Sequence, residues 1–399
     1  MKGRIILLGT APSGAGAAAL LVDGTLEDYL EDAPSGDPTP PPGEILPARI
    51  LRSGGKGAGA FVTLGETGQG FLRDGAGFKE GRRLLVQVAG YAEPGKAPPV
   101  TRRLTIKHLL LIHTPGAPGL NVSRQIRDAA ERERLEEALR MAAEPFFSAS
   151  GAPAGEDSPA ARRHARMARY GAMLEEGGII VRSAAEGASA DALQDALQSV
   201  LERRAVLEDA LEAGTLPPSA ESATTIALRE WSLPPPAAIL VAAGMKDAID
   251  AVALQGPLAD RRRDEEGDPF DRLGVWDALD TLAAPRAPLP SGGSLVIEPT
   301  TALVAVDVNT GGDFSPAAGL KANIEAARAL PRQLRLRGLG GQIAIDFAPM
   351  AKKDRRAVES ALKAAIKRDP VETTAHGFTT MGLFELQRKR ERRPLYELR

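Results

Sequence analysis

The chain reads as a mixed α/β protein built from several subdomains, and three stretches carry that reading. Residues 44–110 hold short β-type runs broken by glycine, residues 123–215 are mostly helical in pattern, and residues 290–399 alternate strand with helix. A length of 399 residues allows about two or three domains.

The N-terminus opens as a hairpin: Arg4–Leu8, a Gly/Ala/Ser-rich turn, then Ala18–Val22 ending at Asp23-Gly24. The apolar run Ile5–Leu8 is too short for the core of a signal peptide, and Pro12 and several glycines interrupt the chain just after it, so it reads as a first strand. The turn Gly9–Gly16 lacks the Lys-Ser/Thr ending of a phosphate-cradling loop, and it leads into no helix signal. A proline-rich linker, Ala33–Pro42, comes next. The runs Ala48–Leu51, Gly59–Leu64, Gly70–Leu72, Leu84–Val88 and Arg103–Ile106 then predict five close-set strands, a small barrel of the size of an OB-fold.

Leu and Ala at helical spacing, with Glu-to-Arg pairs, predict helices over Arg127–Ala143, Ala160–Glu175 and Ala190–Ala213. Ile179–Val181, preceded by Gly177-Gly178, reads as a strand among them. Residues 225–290 add a strand, Ala238–Ala242, helical pieces, and a charge-balanced stretch, Asp260–Asp268, expected to be a solvated surface loop. At the C-terminal end, Ser294–Ile297, Ala302–Val308 and Gln342–Phe347 read as strands. Leu320–Arg337 and Ala357–Arg368 read as helices, the second stopped by Asp369-Pro370.

Composition removes several chemistries. There is no cysteine, so disulfides, zinc-thiolate sites and thiol catalysis are excluded, and four His argue against a His-rich metal centre. The formal net charge of −2 argues against a uniformly basic coat, leaving local basic surfaces to bind phosphate. No segment reaches the ~18 apolar residues that a membrane span needs, and the cytoplasm is the expected compartment.

Two apolar runs end in aspartate: Leu303–Asp307 and Ile343–Asp346, with a helix between them. Strand, helix, strand is the right-handed crossover that joins parallel strands. Neighbouring strands lie ~4.8 Å apart, so both carboxylates are expected together at the carboxyl edge of the sheet. Paired carboxylates repel unless a cation lies between them, and magnesium suits a site of few protein oxygens and several waters. Asn309, two residues on, can orient Asp307. The alternative reading, turn-forming residues at strand ends, fits Asp307–Gly311 on composition.

Leu289–Ile297, Ala305–Asn309, Arg332–Arg337 and Leu339–Phe347, in this order and spacing, resemble hallmark motifs of the ribonuclease E/G family. The resemblance extends over nearly the whole chain, more weakly toward the front. It implies a magnesium ion, with manganese as a substitute, held by Asp307 and Asp346 and supported by Asn309. It implies hydrolysis of single-stranded RNA, leaving 5′-phosphate and 3′-hydroxyl ends. It implies a ribonuclease H-like subdomain (residues 1–35 and 216–288), an OB-fold domain (44–112), a 5′-sensor-like subdomain (113–215) and a deoxyribonuclease I-like catalytic subdomain (289–399). Phe61 and Phe71 resemble the family's RNA-contact positions, and exposed rings there would stack on bases. Lys96 falls where the family also has a lysine. Arg182-Ser183 resembles the pair that receives a 5′-monophosphate, and the basic tail, including Arg388 and Arg390, resembles a segment expected to meet RNA phosphates.

Three positions depart from the family pattern. Glu372 falls at or beside the sensor's second arginine, Pro349 replaces an acidic residue after the second aspartate, and Thr301 replaces one before the first. They motivate a second reading, a non-catalytic RNA-binding protein or adaptor. Larger members continue into a cysteine pair that shares zinc between subunits. With no cysteine before the last residue, Arg399, no zinc is expected, and any homo-oligomer is expected to form without that link.

Overall fold

The computed structural model describes residues 2–398 apart from 35, 38, 56, 57, 66, 67, 94, 149–157, 218–220, 247–255 and 314. Parts of the Ala33–Pro42 linker and of the helical pieces expected within 225–290 lie outside the described residues.

In chain order, β1 (Arg4–Thr10), β2 (Gly16–Val22) and β3 (Thr25–Glu31) form a meander. β4 (Ile45–Ser53), β5 (Ala60–Leu64), β6 (Gly68–Leu72), β7 (Arg83–Val88) and β8 (Pro99–Thr101) close a barrel in the order β4-β5-β6-β8-β7. Next come β9 (Ile106–Lys107), β10 (Leu111–Thr114), β11 (Gly119–Val122), α1 (Ala129–Ser148), α2 (Pro159–Glu176), β12 (Gly178–Val181), α3 (Ala190–Ala213) and α4 (Ala223–Trp231). β13 (Ala238–Val241), β14 (Arg262–Asp264) and α5 (Val275–Ala283) return to the first sheet, whose order is β14-β13-β1-β2-β3. The last unit holds β15 (Arg286–Pro288), β16 (Ser294–Pro299), β17 (Val304–Asn309), α6 (Pro316–Leu336), β18 (Gly341–Asp346), α7 (Arg355–Arg368), β19 (Thr373–Phe378) and β20 (Phe384–Arg388). Its sheet runs β15-β16-β17-β18-β20-β19.

Three expectations are corrected. The fifth barrel strand is β8, not Arg103–Ile106: Pro99 opens a strand, where a missing N–H is tolerated, and Ile106–Lys107 joins β10 in another sheet. The N-terminal hairpin gains a third strand, β3. The charged stretch Asp260–Asp268 is not all loop: Arg262–Asp264 is an edge strand parallel to β13, and charge at an edge discourages pairing with other chains.

Burial distinguishes the first and last sheets. Along β1, Ile5 and Leu7 pack with Phe270, Val275 and Leu279, while Ile6 and Leu8 pack with Leu228 and Trp231. Both faces are covered, which is why the strand is a continuous apolar run. Along β17, Val304, Val306 and Val308 are buried while Asp307 and Asn309 are exposed. Among the described residues, helices α6 and α7 pack on one face of this sheet. α6 is started by Ser315, whose hydroxyl accepts from the Ala318 N–H at 3.2 Å, and by Pro316 in the first turn. It then lays Ala322, Ala326, Ala327, Leu330 and Leu334 on the strands.

Candidate metal centre and nucleic-acid surfaces

β17 and β18 are parallel neighbours, and Asp307 stands directly opposite Asp346 in their register. Both end their apolar runs with exposed side chains. The strand alternation that buries Val306 and Ile345 turns both aspartates to the sheet face opposite α6 and α7, rather than merely to its edge. The Asn309 amide donates to Asp307 Oδ2 at 2.6 Å, fixing one oxygen, and among the described residues the other has no hydrogen-bond partner. Among the described residues no Lys, Arg or His pairs with either carboxylate.

The surrounding turns are tightly built. A Cβ on Gly293 would lie 2.3 Å from the Asn309 carbonyl, so only glycine lets the 289–293 turn cross the end of β17. Ser291 N–H donates to Glu325 Oε2 on α6 at 2.9 Å, pinning that turn. Asn323, fully buried on α6, donates to the Ala348 carbonyl and accepts from the Ala348 N–H, both at 2.9 Å. It thereby fixes the chain two residues beyond Asp346. Sequence reasoning missed Asn323, and the signal was there: a lone amide on the apolar stripe of a helix.

The donor set suits a hard divalent ion. Among the described residues no three or more His, Asp or Glu converge on a metal position, so the protein would supply two carboxylates and solvent the remaining ligands. That is how proteins commonly hold magnesium.

On the barrel, Phe61 and Phe71 are a cross-strand pair with ring centroids 5.4 Å apart at 62°. Both are half-buried on the outside, while Ala60, Val62, Leu64 and Leu72 fill the inside. The Arg52 guanidinium stands 5.2 Å from the Phe61 centroid. Lys96 is exposed, with Nζ 2.5 Å from Glu93. Residues 44–112 carry eleven Lys or Arg against five Asp or Glu, so the barrel segment is locally basic in a chain of net charge −2.

The tail and the sensor pair are placed otherwise than expected. Arg388 is 1% exposed: β20 turns it into the core, where it donates to Asp369 Oδ1 at 2.8 Å and to Thr373 Oγ1 at 2.9 Å. It cannot meet RNA without breaking a buried ion pair. Arg390 lies against the barrel, 3.2 Å from Glu93, and Arg392 and Arg393 reach Asp28 and Asp37 at 3.0 and 2.5 Å. The basic tail is therefore a strap between parts of the molecule. Arg335, from the Arg332–Arg337 motif, is equally internal, bonded to Asp369 and to Glu27 Oε1.

Arg182 comes directly after β12, and its guanidinium is taken up from within. It donates to Glu230 Oε2 at 2.7 Å and to the His108 carbonyl at 3.0 Å. Burial alone would raise the Glu230 pKa, but Arg182, Lys107 and Arg229 outweigh it and hold the carboxyl below its ordinary value. Ser183 begins a one-turn helix beside it. The expected open phosphate site is thus occupied by the chain's own anion. Glu372, the expected repulsive group, pairs with Lys389 at 2.5 Å.

The sequence profile of the Ribonuclease E/G family matches residues 157–391. Ribonuclease G of Escherichia coli (strain K12) is 30% identical over 348 residues, covering 79% of this chain and 61% of its own length. Ribonuclease G of Haemophilus influenzae is 31% identical over 340 residues, with the same coverages. Ribonuclease E of Synechocystis sp. is 28% identical over 380 residues, covering 89% of this chain and 52% of its own length. The chain thus spans between half and two-thirds of the length of these relatives. The profile match takes in both aspartates, the crossover helix between them and most of the basic strap, and on that ground the chain belongs to the ribonuclease E/G family.

Proposed function

We propose that this chain is an endoribonuclease that hydrolyses single-stranded RNA, using one divalent ion, magnesium or manganese, held by Asp307 and Asp346. The observation that carries the reading is the in-register pair of exposed carboxylates with no cationic side chain paired to it among the described residues. The names of the relatives, ribonuclease G and ribonuclease E, support the class of activity. When bound, the ion supplies Lewis-acid polarisation of the phosphodiester. Asn309 holds the Asp307 carboxylate in one orientation, and Asn323 and Gly293 hold the two strand ends so that the pair keeps its spacing. Among the described residues no helix covers that sheet face, which leaves room for a polynucleotide strand over both groups.

Phe61 and Phe71 are assigned to base stacking and Lys96 to phosphate, each by its place on the outside of a basic barrel. The subdomain assignment is ribonuclease H-like for residues 1–35 with 216–288, OB-fold for 44–112, sensor-like for 113–215 and deoxyribonuclease I-like for 289–399. Products with 5′-phosphate and 3′-hydroxyl ends, and a cytoplasmic site of action, complete the proposal. A gel assay on a single-stranded oligoribonucleotide with magnesium tests it. Cleavage by the wild type, lost in Asp307→Asn while RNA binding persists, is the expected result. RNA binding without products from the wild type would favour the adaptor reading.

A further inference from the structure

We propose that the turn between β6 and β7 is a second contact for single-stranded RNA on the barrel, built on Phe78, Arg82 and Arg102. The inference rests on the reading of the chain as an RNA enzyme and adds a site to it. Two guanidinium groups stand over the Phe78 ring, Arg82 at 4.5 Å and Arg102 at 4.9 Å from its centroid. Phe78 is itself packed on the barrel core. The ring thus holds two flat cations at a fixed place on the surface, where their planes can stack on bases and their N–H groups can reach phosphate.

The turn is held in shape before any ligand arrives. Gly77 N–H donates to Ser53 Oγ at 3.0 Å, and Ser53 Oγ donates to the Gly75 carbonyl at 3.2 Å. Gly81 N–H donates to the Ile50 carbonyl at 2.8 Å. An open groove of about 520 Å³ lies along Gly77, Phe78, Lys79, Glu80 and Arg82. Among the described residues Arg82 and Lys79 have no carboxylate partner, whereas Arg102 is held by Asp74 at 3.0 Å. A polyanion would therefore find two unspent cations beside a third that is already oriented.

The groove and the Phe61–Phe71 face are connected through the end of β4. Arg52, over Phe61, immediately precedes Ser53, the residue that holds the turn. A strand stacked on Phe61 and Phe71 can continue into the groove, so the barrel would grip a longer piece of RNA than the two rings reach alone.

The test is fluorescence anisotropy with the full chain in excess EDTA, using labelled oligouridylates of five and twenty nucleotides. Arg82→Ala removes an exposed cation, and Phe78→Leu removes the ring while keeping an apolar side chain on the barrel. Both variants are expected to weaken the twenty-nucleotide probe about three- to tenfold. Arg82→Ala is also expected to lower its log–log salt slope by roughly 0.7, one phosphate contact on a single strand. The five-nucleotide probe is expected to bind as it does to the wild type. Unchanged affinity and salt slope for the long probe in both variants would overturn the second contact while leaving RNA binding intact. A wild type that binds neither probe would overturn the RNA reading itself.

Discussion

The aspartate pair on the last sheet and the arginine after β12 both resemble family positions, yet the fold treats them in opposite ways. Among the described residues the one hydrogen bond to the Asp307 and Asp346 side chains comes from the Asn309 amide to Asp307, and both carboxylates face solvent with no cation paired to them. Arg182 has its fork filled by Glu230 and a backbone carbonyl, and Glu230 is balanced in turn by Lys107 and Arg229. A group that takes a ligand is left with unspent bonding capacity, and a group that holds the fold together is not. Arg204 makes the same point inside the helical region: it is buried against His113, Glu176, Glu208 and the Met173 carbonyl.

The contrast can be broken at four places. The largest expected effect is at the unbalanced pair: Asp346→Asn should lower the single-turnover cleavage rate about a thousandfold, with RNA affinity kept. A rate within a few-fold of the wild type would remove the pair from the chemistry. Next comes the filled class. Arg388→Met should destabilise the fold by about 3 kcal/mol in urea unfolding, because Asp369 is left buried with one partner fewer, and should leave affinity for RNA unchanged. A loss of RNA affinity without a loss of stability would return Arg388 to the binding surface.

A pH titration probes the same class. Burial first, and then the neighbouring Arg204, push His113 down from its ordinary value to about 4. The unfolded chain therefore binds a proton between about pH 6.5 and pH 4 that the folded chain does not. Stability contributed by the neutral ring is complete above about pH 6.5 and falls as pH drops, by up to about 3 kcal/mol. His113→Gln should flatten that part of the pH–stability curve, and an unchanged slope would show that another group titrates there. The smallest expected effect is none. Oligonucleotides with 5′-monophosphate and 5′-triphosphate ends should be cut at equal rates, since Glu230 already fills the Arg182 fork. A clear preference for the monophosphate would mean that Glu230 gives way.

Much of the architecture was legible in the sequence, and the part that was not has identifiable causes. The crossover unit was readable because β17, α6 and β18 each carry a strong pattern: alternation, a capped helix after Ser315 and Pro316, and alternation again. The barrel was readable from its glycine-punctuated strands. The inward turn of Arg388 was not, because it depends on β19 pairing with β20, and β19 contains His376 and Gly377 at a bulge with little apolar pattern. The Arg182–Glu230 pair was hidden for another reason: its partners stand 48 residues apart, on a strand end and a helix. Phe78 gave no signal alone, since its meaning comes from Arg82 and Arg102 arriving over one ring.

The most direct measurement of the central claim is manganese binding to the full chain by electron paramagnetic resonance, with RNA omitted. The wild type is expected to bind one ion, Asp307→Asn and Asp346→Asn each to bind it far more weakly, and the double variant not at all. Wild-type binding by the double variant would contradict the shared cation, and so would cleavage of RNA that continues in excess EDTA.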